Sequence, residues 1–190
     1  MKCVEFRPAQ TDAVLNLYTS VFAAAEGTEE GAVIGRLVGE LIATTADADI
    51  VGFLAVPELV ADGQDAAAGE ASLAGCIFFS RLKLSNAQPA FLLSPVAVAT
   101  ELHGRGVGQQ LIRHGIDAMR GRGVELLFTY GDPAFYGKVG FQPISEDFIR
   151  APFTLSQPQG WLAQSLTGTP LRPIDGPTRC VSAFGDPSYW

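Results

Sequence analysis

Residues 96–109 read Val-Ala-Val-Ala-Thr-Glu-Leu-His-Gly-Arg-Gly-Val-Gly-Gln, an apolar strand-like run that passes through glycines at every second position into an amphipathic helix. Gly104, Gly106 and Gly108 let the backbone turn sharply, so several N–H groups can converge on one anion at the N-terminus of the helix that follows. A strand delivered into a helix by such a turn commits the chain to mixed α and β structure. The segment reads as a phosphate cradle, with a simple tight strand-to-helix loop as the lesser alternative when it is taken alone.

Spacing decides which phosphate folds fit. A triphosphate loop needs G-x-x-x-x-G-K followed by Ser or Thr, and no lysine stands near Gly108. A dinucleotide fold needs G-x-G-x-x-G directly after the first strand, whereas here G-x-G-x-G comes late in the chain.

The remainder of the 190 residues alternates strand and helix signals with no internal repeat, and 47% apolar residues suffice for one sizeable core and one domain, residues 1–190. Residues 3–7 read as a first strand. Val14, Leu15, Leu17, Tyr18, Val21 and Phe22 recur at helical spacing behind Thr11 and Asp12, and Val33, Ile34, Leu37, Val38, Leu41 and Ile42 mark a second helix, with Gly35 and Gly39 at a close contact. An acidic loop is expected between them over 26–30. Strands are expected over 50–56, within the apolar run 73–84, over 91–98 and over 125–129, with a loop over 61–70 and a helix over 108–119. Beyond 140 the signals weaken: Pro and Gly residues favour an irregular arm over 142–190 whose Trp161 and Trp190 pack on the body, and 179–184 is expected to add a last strand.

Thirteen basic against twenty acidic residues give a net charge of −7, which opposes binding to nucleic acid or an anionic membrane. Cys3, Cys76 and Cys180 are odd in number and show no metal-ligand spacing, so neither a disulfide framework nor a metal site is expected, and a reducing cytoplasm fits. The first residues alternate polar and apolar, so no signal peptide or membrane span is expected.

Phe135-Tyr136-Gly137-Lys138-Val139-Gly140-Phe141, preceded by Asp132-Pro133-Ala134, sharpens the reading of the glycines. Together the two segments resemble the GNAT superfamily of N-acetyltransferases, whose acyl-CoA motif runs Gln or Arg, two residues, Gly, one residue, then Gly or Ala. His103-Gly104-Arg105-Gly106-Val107-Gly108 matches it except at the first position, and the later F-Y-x-x-x-G-F motif is present unaltered. With Ser94-Pro95 before the strand and Asp186-Pro187-Ser188-Tyr189-Trp190 behind, the chain looks like one bacterial branch of predicted acetyltransferases.

The resemblance implies an α+β fold with a central mixed, mostly antiparallel sheet whose fourth and fifth strands splay apart, flanked by helices. It implies acetyl-CoA as cosubstrate, with its pantetheine arm on the backbone of Val96, Ala97 and Val98. The pyrophosphate would lie on the amides of residues 104–109, and the cofactor-binding set is completed by His103, Gly104, Arg105, Gly106, Val107, Gly108 and Gln109. Tyr136 takes the position of the general acid toward the CoA thiolate. Glu26, Glu101 and Asp132 are candidates for receiving the amine's proton, while Arg113, Arg120 and Arg122 read as 3′-phosphate contacts or solvated helix residues, solvation being favoured for the last two. His114 reads as a surface residue. The acceptor is expected to be a small amine, or a protein amine, entering beside Glu26, Glu29 and Glu30; a homodimer is compatible with the reading. The competing reading is an acyl-CoA-binding sensor without turnover.

Overall fold

The structure, a computed structural model, describes residues 1–57 and 73–190, so the loop expected over 61–70 lies outside the described residues. Helix α1 (Thr11–Glu26) buries Val14, Leu17, Tyr18 and Val21, and α2 (Thr28–Thr44) buries Gly31, Leu37, Val38 and Leu41. Only Gly27, at φ 106°, separates the two. The acidic loop expected over 26–30 is therefore corrected: Glu26 ends α1, and Glu29 and Glu30 stand in the first turn of α2. Carboxylates there meet the unsatisfied N–H groups of a helix start, so residues that suit a solvated turn suit this position better. The close helix contact centres on Gly31, where a Cβ would come within 2.6 Å of the Thr19 carbonyl oxygen, and on Gly35 against the Thr19 side chain; Gly39 meets only Leu15.

Among the described residues seven strands form one sheet: β1 (Lys2–Glu5), β2 (Ile50–Val56), β3 (Gly75–Arg81), β4 (Ala90–Val98), β5 (Leu126–Tyr130), β6 (Gln142–Pro143) and β7 (Trp161–Ser165), in the order β1-β2-β3-β4-β5-β7-β6. Every pairing is antiparallel except β4 with β5. Helices α1 and α2 cover one face. Helix α3 (Val107–Gly121) covers the other, with Leu111, Ile112, Ile116 and Met119 packed on Ile77, Phe79, Phe91 and Leu93.

The last strand expected over 179–184 does not form: Arg179 makes an isolated bridge to Lys83, and residues 182–184 are a 3-10 turn. The sheet is instead completed by β7, inserted between β5 and β6. Its sequence, Trp-Leu-Ala-Gln-Ser, lacks a β-branched run and is placed by tertiary contact. The fully buried Trp161 ring stacks on Phe128 at 5.2 Å between centroids and its indole N–H donates to the Ile149 carbonyl at 2.9 Å.

Strands β4 and β5 pair only at residues 90–92 against 126–128, and beyond that they part. On its other edge β4 carries a bulge: Ile77 pairs with Val96 and Phe79 with Leu93, so Phe78 faces both Ser94 and Pro95. The extra residue reverses the alternation. Leu92 and Ala97 join the core under α1 and α2, while Leu93, Val96 and Val98 face the α3 side.

Tyr18 reaches this bulge from α1, its hydroxyl 2.9 Å from the carbonyl oxygens of Cys76 on β3 and Pro95 on β4. Tyr18→Phe leaves both buried carbonyls without that donor and is expected to lower stability by about 1–2 kcal/mol in denaturant unfolding. Burial, then Cys76, holds the hydroxyl well above the usual tyrosine range. The fold thus favours the neutral form, a contribution complete below the unfolded value of about 10 and lost as pH rises through the raised one. The alkaline loss of stability is expected to be shallower in the Phe variant.

Candidate functional site

The parting of β4 from β5 opens a cleft of about 610 Å³ beside the N-terminus of α3. Its walls include Val96 and Val98 of β4, His103, Gly104, Gly106, Val107, Gly108 and Gln109 of the loop and helix start, and Tyr136. Gly104 and Gly106 have φ of 74° and 80°, the left-handed region that side chains avoid, and a Cβ on either would meet no protein atom within 4 Å. Gly108 is tighter, a Cβ there lying 3.3 Å from both Phe135 and Val98. With Gly106 as N-cap and its carbonyl accepting from Gln110 at 2.9 Å, the N–H groups of Val107, Gly108 and Gln109 have no partner in the preceding turn of α3. Donors and helix dipole together make the floor of the cleft suitable for a pyrophosphate, and its apolar walls suitable for a pantetheine chain.

His103 turns its Nε2 to the Val98 carbonyl at 2.8 Å, tying the loop to the strand end. Ala97, buried on the opposite face, and Arg105, exposed, are both absent from the cleft walls. Arg113 is bound to the Lys138 carbonyl at 3.0 Å and to Gln109 at 3.4 Å, bracing the turn after Tyr136 against α3. Arg120 and Arg122 pair with Asp117 at 2.6 Å and Glu5 at 2.7 Å on the surface. His114 is exposed and meets Phe53 edge-on.

Tyr136 ends the short helix α4 (Pro133–Tyr136), whose N-cap Asp132 accepts from the Ala134 N–H at 2.8 Å. Its ring is held edge-on between Phe135 and Phe141, at 5.1 and 5.8 Å, and rests against Gly131, where a Cβ would intrude to 2.8 Å. Burial raises the phenol above its usual value; a hydrogen bond with Thr129 opposes this and the Asp132 charge adds to it. The hydroxyl therefore keeps its proton at neutral pH. Of the candidate proton acceptors, Asp132 is the one whose charge acts on Tyr136, while Glu101 lies in an exposed 3-10 turn and Glu26 at the end of α1. Neither Glu26 nor Glu29 lines the cleft.

Sequence reasoning passed over the α1 wall of the cleft, Val21, Phe22 and Ala25, as well as Leu102, Phe135 and Lys138. Val21 and Phe22 carry the helical apolar period of core residues, which gives no sign of a ligand; Leu102 lies inside the glycine segment and Phe135 and Lys138 inside the later motif, and these were the legible ones.

The model of the acetyltransferase (GNAT) domain family matches residues 45–143, and the chain belongs to this family. Among curated proteins, it is 33% identical over 118 residues to the uncharacterized N-acetyltransferase YjhQ of Escherichia coli (strain K12), a match covering 59% of this chain and 65% of that protein. It is 27% identical over 118 residues to the uncharacterized N-acetyltransferase YhbS of the same strain, covering 62% of this chain and 71% of that one. The chain thus spans just under two thirds of the length of YjhQ. The fold is shared with solved structures. The GNAT family N-acetyltransferase YhbS from Escherichia coli, in complex with CoA, superposes with a TM-score of 0.78 at 20% identity over 97% of this chain and 92% of that chain. A GNAT family acetyltransferase from Brucella melitensis, in complex with acetyl-CoA, gives 0.66 at 20% identity over 96% and 97%. The sheet implied by the resemblance, mixed, mostly antiparallel and parted between its fourth and fifth strands, is the one observed.

Proposed function

We propose that the protein is an N-acetyltransferase that binds acetyl-CoA in the cleft between β4 and β5 and passes the acetyl group to a primary amine. The observation that carries the reading is the meeting of the glycine loop with its free helix N–H groups and the protonated phenol of Tyr136 in the walls of one cleft. The pyrophosphate rests on the amides of residues 104–109. The pantetheine runs along Val96, Ala97 and Val98, which leads its thioester toward Tyr136.

A neutral amine attacks the thioester carbonyl, forming the C–N bond. The C–S bond then breaks and the sulfur leaves with the bonding electrons. Tyr136 gives its proton to that sulfur, whose pKa of about 8.5 as a free thiol makes it a good leaving group, and the phenolate regains a proton from solvent. The amide nitrogen loses its extra proton to water, and Asp132 is a carboxylate whose charge acts on the phenol. Glu26 and Glu29, exposed at the α1–α2 junction, steer cationic acceptors toward the site, in keeping with the net charge of −7. Family relatives named N-acetyltransferases and CoA-bound structures of the same fold support the assignment.

An acyl-CoA sensor without turnover would need the cleft but not the phenol; the precise seating of Tyr136 against Gly131 and Thr129 favours turnover. The test is calorimetry with CoA and acetyl-CoA, paired with thiol release from acetyl-CoA across a panel of primary amines. Saturable binding with amine-dependent thiol release is expected. Binding without release from any amine supports the sensor, and absence of binding removes both.

A further inference from the structure

The bulge in β4 makes that strand serve two faces: Val96 lines the CoA cleft, while Ser94 lines a separate small cavity, about 60 Å³, with Tyr130, Phe184, Tyr189 and Trp190. Strand β5 divides the same way. Thr129 is hydrogen-bonded to Leu93 at 2.9 Å and to Tyr136, and its neighbour Tyr130 turns to the cavity. Two cavities therefore adjoin the mouth of the parted strands, one holding the proposed thioester and one built largely of aromatic rings.

The polar atoms of two of those rings, Trp190 and Tyr130, are committed elsewhere. The Trp190 indole N–H donates to the Phe184 carbonyl at 3.0 Å, and the Tyr130 hydroxyl accepts from the Gln157 N–H at 2.7 Å and lies 3.0 Å from the Ser156 hydroxyl. Tyr130 and Trp190 are stacked, 6.3 Å between centroids. The pocket thus offers aromatic rings together with Ser94, and the quadrupoles of aromatic rings attract a cation. Its electrostatic surroundings have the same sign: the fields of Glu40, Asp186 and Glu30 act on the Tyr189 hydroxyl, with Arg36 alone opposing them. A cavity of this volume admits one ammonium-bearing chain end.

We propose that this aromatic pocket seats a second, non-reacting ammonium group of the acceptor, so that the preferred acceptors are alkyl diamines or polyamines. Chemistry excludes the reacting amine from the pocket. Rings and carboxylates that stabilise an ammonium ion hold its nitrogen protonated, and a protonated nitrogen has no lone pair for the thioester. The pocket therefore positions one end while the neutral other end reaches the cleft. This inference rests on the acetyltransferase reading for its meaning, and the experiment separates the two.

The chain has two tryptophans, so the indole N–H signal of Trp190 is a direct reporter by NMR once Trp161 is identified. Titration with 1,4-diaminobutane is expected to shift that signal saturably, while butanol and butyrate leave it unmoved. Ser94→Leu, which fills the cavity, is expected to weaken the diamine by at least about tenfold, and Glu30→Gln with Glu40→Gln to weaken it at low salt more than at high. CoA is expected to shift the amides of Gly106 and Gly108 equally in every variant. An unmoved Trp190 signal, equal binding of butanol, or unchanged diamine affinity in both variants overturns the pocket; should Ser94→Leu fail to fold in the same spectra, the glutamate variant decides. Loss of the CoA response in the wild type overturns the acetyltransferase reading instead.

Discussion

Gly106→Trp is expected to leave the protein folded and to weaken acetyl-CoA by at least about a hundredfold. The substitution places an L side chain at φ 80°, a strain of about 1–2 kcal/mol, at a point where a Cβ meets no protein atom within 4 Å. The fold can bear this, since helix α3 is anchored through Leu111, Ile112 and Met119, all without solvent exposure. The ligand cannot. On the proposed reading, an indole projecting from the loop takes the place of phosphate oxygens that would accept from the N–H groups of α3, and charge-assisted hydrogen bonds of about 1.5–3 kcal/mol each are lost at about 1.4 kcal/mol per tenfold in affinity. Gly106→Asn is the control, because Asn tolerates the left-handed region and is small; it is expected to fall between the two. Calorimetry on the three proteins decides, and equal affinities would remove the cradle from the site.

Tyr136→Phe is expected to lower turnover by about a hundredfold while acetyl-CoA affinity stays within a factor of about two. General acids contribute about 10²–10⁴ in rate, and a thiolate leaving group puts this case at the low end. The ring contacts with Phe135 and Phe141 survive the change, so packing is preserved. The pH profile carries a second signature. A phenol held above its ordinary value remains a competent acid up to and past about pH 10, the usual tyrosine range, and is lost only when pH rises through the raised value. The wild type is expected to show no loss from this group at neutral or mildly alkaline pH, and the Phe variant to lack the high-pH limb. Unchanged turnover, with chemistry rate-limiting, would return Tyr136 to a packing role.

The elements legible in the sequence are those whose conformation is set by neighbours along the chain. Val14, Leu17, Tyr18 and Val21 announce α1 by helical spacing alone, and Gly104, Gly106 and Gly108 announce a turn whose left-handed angles only glycine adopts freely. The seven residues from Phe135 to Phe141 carry Tyr136 in a local turn, so its place in the site followed from motif spacing. Strand Trp161–Ser165 was not legible, because a five-residue segment finds its place between β5 and β6 only through Trp161 packing on Phe128, far off in sequence.

The same division runs through the site. The glycine cradle and its phenol were determined by the order of residues, since each is a local backbone or motif feature. Which way β4 faces was decided by pairing: the bulge opposite Phe78, held by the Tyr18 hydroxyl from a different element, sends Val96 into the cleft and Ser94 into the aromatic pocket. A one-residue shift in a ladder exchanges the faces of every side chain beyond it, and that shift is fixed by contacts between distant segments rather than by the strand's own sequence.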